Sequence, residues 1–196
     1  GGGLRHRPRA CFSAAENAVT MARPFILTAA LPSDIQASSE RLRRAHYPAE
    51  RNHLHAHVTM FHSFAPSLLD ELTDFIPRIT GEFAAPQARI SGVMDLGTGT
   101  AIALQSEDLL ALRAMIADRF HGSLTDQDLY EPRPHITIQN KVTKKEARAL
   151  QESLESQLAL RASQDVFAFP ALELHLYQGG PWKLVKRSPF RGKARL

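Results

Sequence analysis

The order of predicted secondary structure repeats within the chain, and this repeat constrains the fold more than any other feature of the sequence. Short apolar runs with the two-residue period of a strand alternate with runs that have the helical period. The order strand, helix, strand, helix, paired strands occurs twice, which predicts a mixed α+β fold with two similar lobes, one from each half of the chain. The predicted elements are strand 25–31, helix 33–47, strand 54–64, helix 66–77, strands 88–96 and 100–105, helix 106–120, loop 122–132, strand 134–139, helix 143–158, and strands 166–169, 172–177 and 182–185.

Polar residues mark where two of the helices begin. Ser33 with Gln36, and Thr143 with Glu146, match the capping box, in which two side chains bond the free backbone N–H groups of the first helical turn. Pro77 is expected to end or kink its helix, because proline lacks the N–H group and its ring crowds the preceding turn.

Composition places the chain among globular proteins of a single domain. It has 196 residues, of which 43% are hydrophobic, enough for a core and too many for a disordered chain. No apolar run is long enough to span a membrane or to form a secretory signal, so we expect a cytoplasmic protein. Cys11 is the only cysteine, which excludes an internal disulfide and a cysteine-based zinc or redox site.

The basic charge is concentrated near the ends of the chain. The net charge is +4, yet residues 183–196 contain basic residues and no acid, and the middle of the chain is mildly acidic. This distribution argues against a face that binds duplex DNA, and it leaves a basic end that either solvent or a phosphate-bearing ligand covers. We predict that residues 1–20 form a disordered or cloning-derived tail, that residues 21–190 form one bilobal domain, that residues 191–196 form a basic C-terminal tail, and that the protein is a monomer.

Two short segments carry the same chemical pattern. They are His57-Val58-Thr59-Met60 and His135-Ile136-Thr137-Ile138. Because successive side chains of a strand alternate between its faces, each segment places its His and Thr on one face and its two apolar residues on the other. A single copy is typical of a structural histidine. Two copies at corresponding places of the repeat indicate a shared functional site.

Two histidines with two threonines are suited to cleaving a phosphoester without a metal. A neutral imidazole accepts a proton from an attacking water or hydroxyl, and a protonated imidazole donates one to the leaving oxygen. A threonine hydroxyl donates to a nonbridging phosphate oxygen, where negative charge grows in the transition state. We therefore predict His57 and His135 as catalytic and Thr59 and Thr137 as phosphate-binding, with no cofactor and with activity greatest near neutral pH.

The paired segments resemble the two signature tetrapeptides of the 2H phosphoesterase superfamily, in particular its bacterial 2′-5′ RNA ligase-like branch. The residues around both segments and the turn Gly179-Gly180-Pro181-Trp182 agree with that branch, and the resemblance extends from about Ala22 to Phe190. It implies a bilobal α+β fold in which two antiparallel sheets face a central cleft, with helices on the outer faces. It also implies a cyclic phosphodiesterase that acts on 2′,3′-cyclic phosphate ends of RNA or nucleotides, with a capacity for 2′-5′ ligation. In related enzymes the first histidine is the proton donor, which implies His57 as the acid and His135 as the base.

A metal-dependent hydrolase is one alternative interpretation. His53, His55 and His57 fall on one predicted strand face, and His62 is near in the sequence. Histidines at alternate strand positions suit zinc, copper or iron, although exposed histidines without a shared role give the same pattern.

A catalytically silent RNA- or nucleotide-binding module of the same fold is the other alternative. Phe61 and Gln139 follow the two threonines by two positions, so they are predicted to contact a substrate base by stacking and hydrogen bonding. Packing explains Phe61 equally well. Arg133 is placed to reach either a phosphate or a surface acid. Tyr177 and Trp182, near the last turn, either shape the cleft or pack within their lobe.

Overall fold

The computed structural model describes residues 23–159 and 166–196, so the tail predicted at residues 1–20, Cys11 included, lies outside the described residues. Each predicted strand and helix has a counterpart in the structure, with shifted ends. The strands are β1 (Phe25–Ala29), β2 (Val58–Phe64), β3 (Gln87–Asp95), β4 (Thr100–Gln105), β5 (His135–Gln139), β6 (Val166–Ala168), β7 (Ala171–Tyr177) and β8 (Trp182–Pro189). The α-helices are α1 (Ser33–His46), α2 (Leu69–Glu82), α3 (Glu107–Arg119), α4 (Asp126–Leu129) and α5 (Lys144–Ala159), and short 3₁₀ turns cover Ala49–Arg51 and Pro66–Leu68.

The strands form two four-stranded antiparallel sheets. The first sheet has the order β2-β1-β7-β8 and the second has the order β5-β4-β3-β6. Each segment with the His-x-Thr pattern lies at the edge of its own sheet, and the two edge strands, β2 and β5, contact each other. The mixed α+β fold with two antiparallel sheets is therefore confirmed.

The two lobes are not the two halves of the chain, contrary to the sequence-based expectation. Strands β7 and β8, at the C-terminal end, complete the first sheet by pairing β7 with β1. What repeats is a smaller unit, in which a strand, a helix and the motif strand follow one another: β1-α1-β2 in the first sheet and β4-α3-β5 in the second. The periodicity of apolar residues along the sequence reveals such a unit. It does not reveal the order of strands in a sheet, because that order depends on pairing between distant segments.

The ends of the helices differ in how closely they follow the predicted caps. The box of Thr143 and Glu146 forms as predicted, with Glu146 N donating to Thr143 Oγ1 at 3.2 Å and Thr143 N donating to Glu146 Oε2 at 2.8 Å. The box predicted at Ser33 does not form. Pro32 is the N-cap residue there, and the Gln36 side chain donates to Glu40 at 2.8 Å instead.

Helix α2 continues through Pro77, which the sequence analysis expected to end or kink it. Proline cannot donate to the carbonyl four residues earlier, which here belongs to Thr73. Lys186 Nζ, from β8, donates to the Thr73 carbonyl oxygen at 2.9 Å. A side chain from the first sheet thus replaces the missing helical hydrogen bond.

Residues near the C-terminus lie against the end of α2. Arg191 N donates to the carbonyl of Thr80 at 2.9 Å, and Lys193 N and Ala194 N both donate to the carbonyl of Glu82 at 3.1 Å. Gly192 contacts the Glu82 backbone so closely that a Cβ atom would overlap it. None of the described helices is long and apolar enough to cross a membrane.

Candidate active site between the two sheets

The two motif histidines are held in the same way. His57 immediately precedes β2, and its Nδ1 lies 2.6 Å from the carbonyl oxygen of His55. His135 is the first residue of β5, and its Nδ1 lies 2.7 Å from the carbonyl oxygen of Arg133. Because a carbonyl oxygen only accepts hydrogen bonds, each Nδ1 carries the hydrogen. In both rings Nε2 is left as the nitrogen that can exchange a proton with a substrate.

The motif threonines occupy matching places in the two sheets. Thr59 pairs with Thr28 of β1, and Thr137 pairs with Ala101 of β4. Both threonines are partly buried, and each lies two residues after its histidine on the same side of the strand. The structure therefore keeps the predicted His-Thr pairing in each half of the site.

Arg43 of α1 joins the two halves. Its guanidinium donates to the carbonyl of Thr137 at 2.7 Å, to the carbonyl of Leu54 at 3.0 Å, and to Oδ1 of Asn52 at 2.9 Å. Arg43 is only 3% exposed, and its guanidinium carbon lies 4.6 Å from the centre of the Tyr47 ring. One buried side chain thus fixes the second motif strand against the segment that leads to His57.

The environment of His57 favours its neutral form. Burial lowers the pKa of His57 to about 4, and the positive charge of Arg43 lowers it as well, against the opposing effect of the bond to His55. At neutral pH the free protein therefore presents an unprotonated Nε2 at His57, as a proton acceptor requires. This is the reverse of the order implied by the family resemblance, which makes His57 the proton donor.

A cavity of about 780 Å³ opens beside His57 on the first sheet. Its wall includes Trp182, whose ring centre lies 4.8 Å from that of His57 and 5.5 Å from that of His175. The sequence analysis left open whether Trp182 shapes the cleft or packs within its lobe, and the structure places it in the lining of this cavity, next to His57. Glu173 and Arg187, which contact each other as an ion pair, also line the cavity.

Sequence reasoning missed Glu173, His175 and Arg187. A signal for the first two was present, because Ala171–Tyr177 alternates apolar residues with Glu173, His175 and Tyr177, the pattern of a strand with one polar face. Arg187 had no such signal, since it was counted within the basic C-terminal end, which the sequence left to either solvent or a phosphate-bearing ligand.

A second buried connection ties the loop before His135 to strand β2. Asp128 of α4 is 1% exposed and accepts hydrogen bonds from His62 N at 2.9 Å, Ser63 N at 3.0 Å and His62 Nδ1 at 2.9 Å. Arg113 donates to the carbonyl of Asp128 at 2.6 Å and to that of Met60 at 3.0 Å. The predicted loop 122–132 is therefore attached to the first motif strand.

The sequence model of the 2′-5′ RNA ligase superfamily matches residues 31–180, a span that contains both motifs. The chain belongs to this superfamily of 2H phosphoesterases. No curated protein matches the chain in sequence. The expectation drawn from the paired tetrapeptides is thus confirmed at the level of the family.

Solved structures with the 2H fold superimpose on most of the chain. TT0787 of Thermus thermophilus has a TM-score of 0.58 at 15% identity, covering 87% of this chain and 100% of that one. E. coli LigT complexed with NADP+ has a TM-score of 0.55 at 15% identity, covering 86% and 98% of the two chains. LigT complexed with 3′-AMP has a TM-score of 0.53 at 14% identity, covering 86% and 98%. At these identities the likeness concerns the fold.

Phe61 does not face the site of this 2H protein. It is fully buried, with its ring 4.9 Å from that of Phe64 and the guanidinium carbon of Arg113 4.4 Å from its centre. The strand pairing explains why. Thr59 of β2 lies opposite Thr28 of β1, and Phe61, two residues after Thr59, lies opposite Leu27, which is only one residue from Thr28. This bulge turns Phe61 to the core face of the sheet.

Gln139 departs from the prediction for the same reason. Thr137 opposes Ala101, whereas Gln139 opposes the adjacent residue, Thr100. Gln139 is 5% exposed, and its Oε1 accepts a hydrogen bond from the Thr100 hydroxyl at 3.3 Å. Arg133 is exposed, and its contact with the site is the hydrogen bond that its carbonyl oxygen accepts from His135 Nδ1.

The histidine-rich segment 53–57 is not a strand, because β2 begins at Val58 instead of residue 54. Glu40 accepts a hydrogen bond from Ala56 N at 2.5 Å, which holds the segment against α1. His55 is exposed, and His62 is turned toward Asp128. Within residues 23–159 and 166–196, no three His, Cys, Asp or Glu side chains converge closely enough to hold one metal ion.

Proposed function

We propose that this 2H protein is a phosphoesterase that hydrolyses 2′,3′-cyclic phosphate ends of RNA or nucleotides without a metal ion. The observation that carries the proposal is the matched anchoring of His57 and His135, each with Nδ1 bonded to the carbonyl two residues earlier. Two imidazoles with free Nε2 atoms, on contacting edge strands, can serve one phosphorus from two sides. The complexes of E. coli LigT with 3′-AMP and NADP+ support a nucleotide as the ligand.

The reaction needs one proton acceptor and one proton donor. One neutral imidazole takes a proton from water as the water oxygen forms a bond to phosphorus. The other imidazole, protonated, gives its proton to the 3′ oxygen as the bond between phosphorus and that oxygen breaks, leaving a 2′-phosphate. Thr59 and Thr137 donate hydrogen bonds to the nonbridging oxygens, whose negative charge increases in the transition state. The neutral state of His57 in the free protein favours His57 as the acceptor.

The same site accommodates 2′-5′ ligation. If the 5′ hydroxyl of a second RNA end replaces water as the nucleophile, the acceptor histidine takes the proton of that hydroxyl. The 3′ oxygen leaves as before, and the product is a 2′-5′ phosphodiester. The competition between water and the hydroxyl then decides between hydrolysis and ligation.

Hydrolysis of a 2′,3′-cyclic nucleotide and of a short RNA with a cyclic phosphate end, each with and without EDTA, tests the proposal. We expect turnover that EDTA does not change, a loss of about 10³-fold in kcat/KM for His57→Ala and for His135→Ala, and a smaller loss of about tenfold for Thr59→Ala or Thr137→Ala. His121→Ala, which removes an exposed histidine after α3, is the matched control.

Three results would contradict the proposal. Near-normal rates in either His57→Ala or His135→Ala would remove the mechanism. Turnover that EDTA abolishes would support the metal-dependent alternative. Nucleotide binding without turnover would support the catalytically silent module.

A further inference from the structure

The cavity beside His57 is larger than the proposed reaction requires. Its volume of about 780 Å³ lies in the range of sites that enclose a whole small molecule. Its apolar lining residues include Leu31, Pro32 and Pro170. Its lining also includes Glu173, His175, Trp182 and Arg187, which we call the polar wall and none of which takes part in the proton transfers.

Strand register connects this polar wall to the motif threonine. Thr59 opposes Thr28, Thr28 opposes Glu173, and Glu173 opposes Arg187, so these four residues form one row across the first sheet. Residues directly opposite one another share a face. Glu173 is therefore on the face of Thr59, two strands away, which is about 10 Å at the usual spacing between strands. This distance suits the reach of a nucleotide from its phosphate, across the ribose, to the edge of its base.

The polar side chains of the row are held in place by one another and by His175, which lies two residues after Glu173 on the same face of β7. His175 Nε2 lies 3.1 Å from the Thr28 hydroxyl and 3.6 Å from Glu173 Oε2, and Arg187 contacts the other carboxylate oxygen of Glu173. The bonds from His175 and Arg187 hold the pKa of Glu173 below its ordinary value although burial opposes them. At neutral pH Glu173 is thus a fixed carboxylate, and a carboxylate only accepts hydrogen bonds.

The charge of Glu173 decides which ligand group fits. A second phosphate would be repelled by the carboxylate, and the nearest cation, Arg187, is already paired with it. A neutral flat group with N–H donors on its edge would pack against Trp182 and the apolar lining residues and donate to Glu173. Among nucleobases, cytosine presents an amino group of this kind, whereas uracil presents a carbonyl oxygen at the same position.

We propose that this cavity is a nucleobase subsite in which Glu173 accepts a hydrogen bond from an exocyclic amino group, so that the enzyme prefers amino-bearing bases to uracil. The subsite rests on the proposed function, because it places the phosphate at Thr59 and His57. It assigns Trp182 to packing against the base, and it assigns His175 and Arg187 to orienting Glu173.

Binding of 2′-CMP and 2′-UMP tests the subsite without requiring turnover. The two nucleotides differ at the amino-bearing edge of the base, and Trp182 is the only tryptophan of the chain, so its fluorescence reports occupancy of the cavity. We expect 2′-CMP to bind about tenfold more tightly than 2′-UMP, the usual effect of a hydrogen bond to a charged acceptor. Ribose 2-phosphate, which lacks a base, should bind more weakly than either.

Glu173→Gln should remove the preference, since an amide both donates and accepts and so serves either base. Glu155→Gln, an exposed glutamate on α5, is the matched control, and Arg187→Met should reduce the preference by leaving Glu173 less well oriented. Equal affinities for 2′-CMP and 2′-UMP in the wild type would overturn the subsite, as would a preference that persists in Glu173→Gln.

Turnover measured on the same pair of cyclic nucleotides separates this proposal from the proposed function. Selective binding without any hydrolysis would support the subsite and contradict the phosphodiesterase. Hydrolysis of both cyclic nucleotides with equal kcat/KM would support the phosphodiesterase and overturn the subsite.

Discussion

Replacing Arg43 with methionine tests whether one buried side chain holds the two halves of the site together. Arg43→Met keeps much of the aliphatic stem and removes three hydrogen bonds, those to Thr137, Leu54 and Asn52. Because Arg43 is 3% exposed, water cannot easily replace these bonds. Leaving a buried acceptor without its donor costs about 1–3 kcal/mol, so the three acceptors together predict a loss of about 4 kcal/mol. At about 3 °C per kcal/mol for a chain of this size, Tm should fall by about 12 °C.

Arg43→Met should also affect catalysis in a way that a purely structural defect would not. The carbonyls it releases belong to the second motif strand and to the segment that leads to His57, so a displacement of about 1 Å between the halves should lower kcat by about 100-fold. The charge of Arg43 also contributes to the low pKa of His57. Its loss should therefore move the pKa of His57 upward from about 4, toward the value of an ordinary histidine.

The assay combines thermal unfolding with the pH dependence of kcat/KM for a 2′,3′-cyclic nucleotide. Arg44→Met, which removes an exposed arginine from the same helix, is the matched control and should leave Tm and activity unchanged. Arg43→Lys keeps the charge but not the three-way geometry, so it should retain the low pKa of His57 while losing activity. An Arg43→Met protein whose kcat stays within threefold of the wild type, with an unchanged pH profile, would refute the reasoning.

Two further predictions concern titrating groups. Since kcat/KM reports the free protein, His57 as the proton acceptor should give a profile whose acidic limb rises with pH through about 4, with a fall on the alkaline side where the donor imidazole loses its proton; a profile that falls as the pH rises through about 4 would instead make His57 the donor. Asp128→Asn should lower stability at pH 7 by about 2 kcal/mol, because Asp128 Oδ2 accepts from both His62 N and Ser63 N, and an amide that keeps its oxygen there turns its NH2 group, a donor, toward His62 Nδ1. Asp126→Asn, an exposed change in the same helix, should have little effect. Burial raises the pKa of Asp128, but the hydrogen bonds from His62 and Ser63 outweigh burial and hold this pKa below its ordinary value. The carboxylate therefore stabilises the fold above its unfolded-state pKa, and this stabilisation is lost as the pH falls through its folded-state pKa. The difference between wild type and Asp128→Asn in urea unfolding should therefore shrink in acid, and a constant difference from pH 7 to strong acid would contradict this account.

Local features of the fold could be predicted from the sequence because the residues that cause them are neighbours in the chain. The two-residue period located the strands, and the spacing of Thr143 and Glu146 located a helix start. Features that depend on distant partners could not be predicted. Helix α2 continues through Pro77, where Lys186 bonds the carbonyl that the proline leaves without its helical donor, and the first sheet is completed by strands from the far end of the chain.

The same distinction separates the residues of the candidate site that could be predicted from those that could not. His57, Thr59, His135 and Thr137 were found because their pattern is contained in three residues. Glu173 and Arg187 were missed because their alignment with Thr59 depends on the pairing of β2 with β1, of β1 with β7 and of β7 with β8. The first two of these pairings join segments that are distant in the chain, so no local pattern in the sequence reveals them. Arg43 was missed because an arginine on a helix is usually solvated, and nothing near it in sequence reveals its bond to Thr137.

The limits of each His-x-Thr segment explain why its first and third residues lie on one face at the candidate site and its fifth does not. His57 and His135 stand where their strands begin, so the carbonyls of His55 and Arg133 precede the hydrogen-bonded ladder and remain free to accept from Nδ1. Beyond each threonine a bulge places two residues opposite one, which turns Phe61 and Gln139 away from their threonines. Since both motifs have the same start and the same bulge, the pattern ends at the threonine for a physical reason. Under the proposed function, we expect the neighbouring strands of the sheet to contact the rest of a substrate.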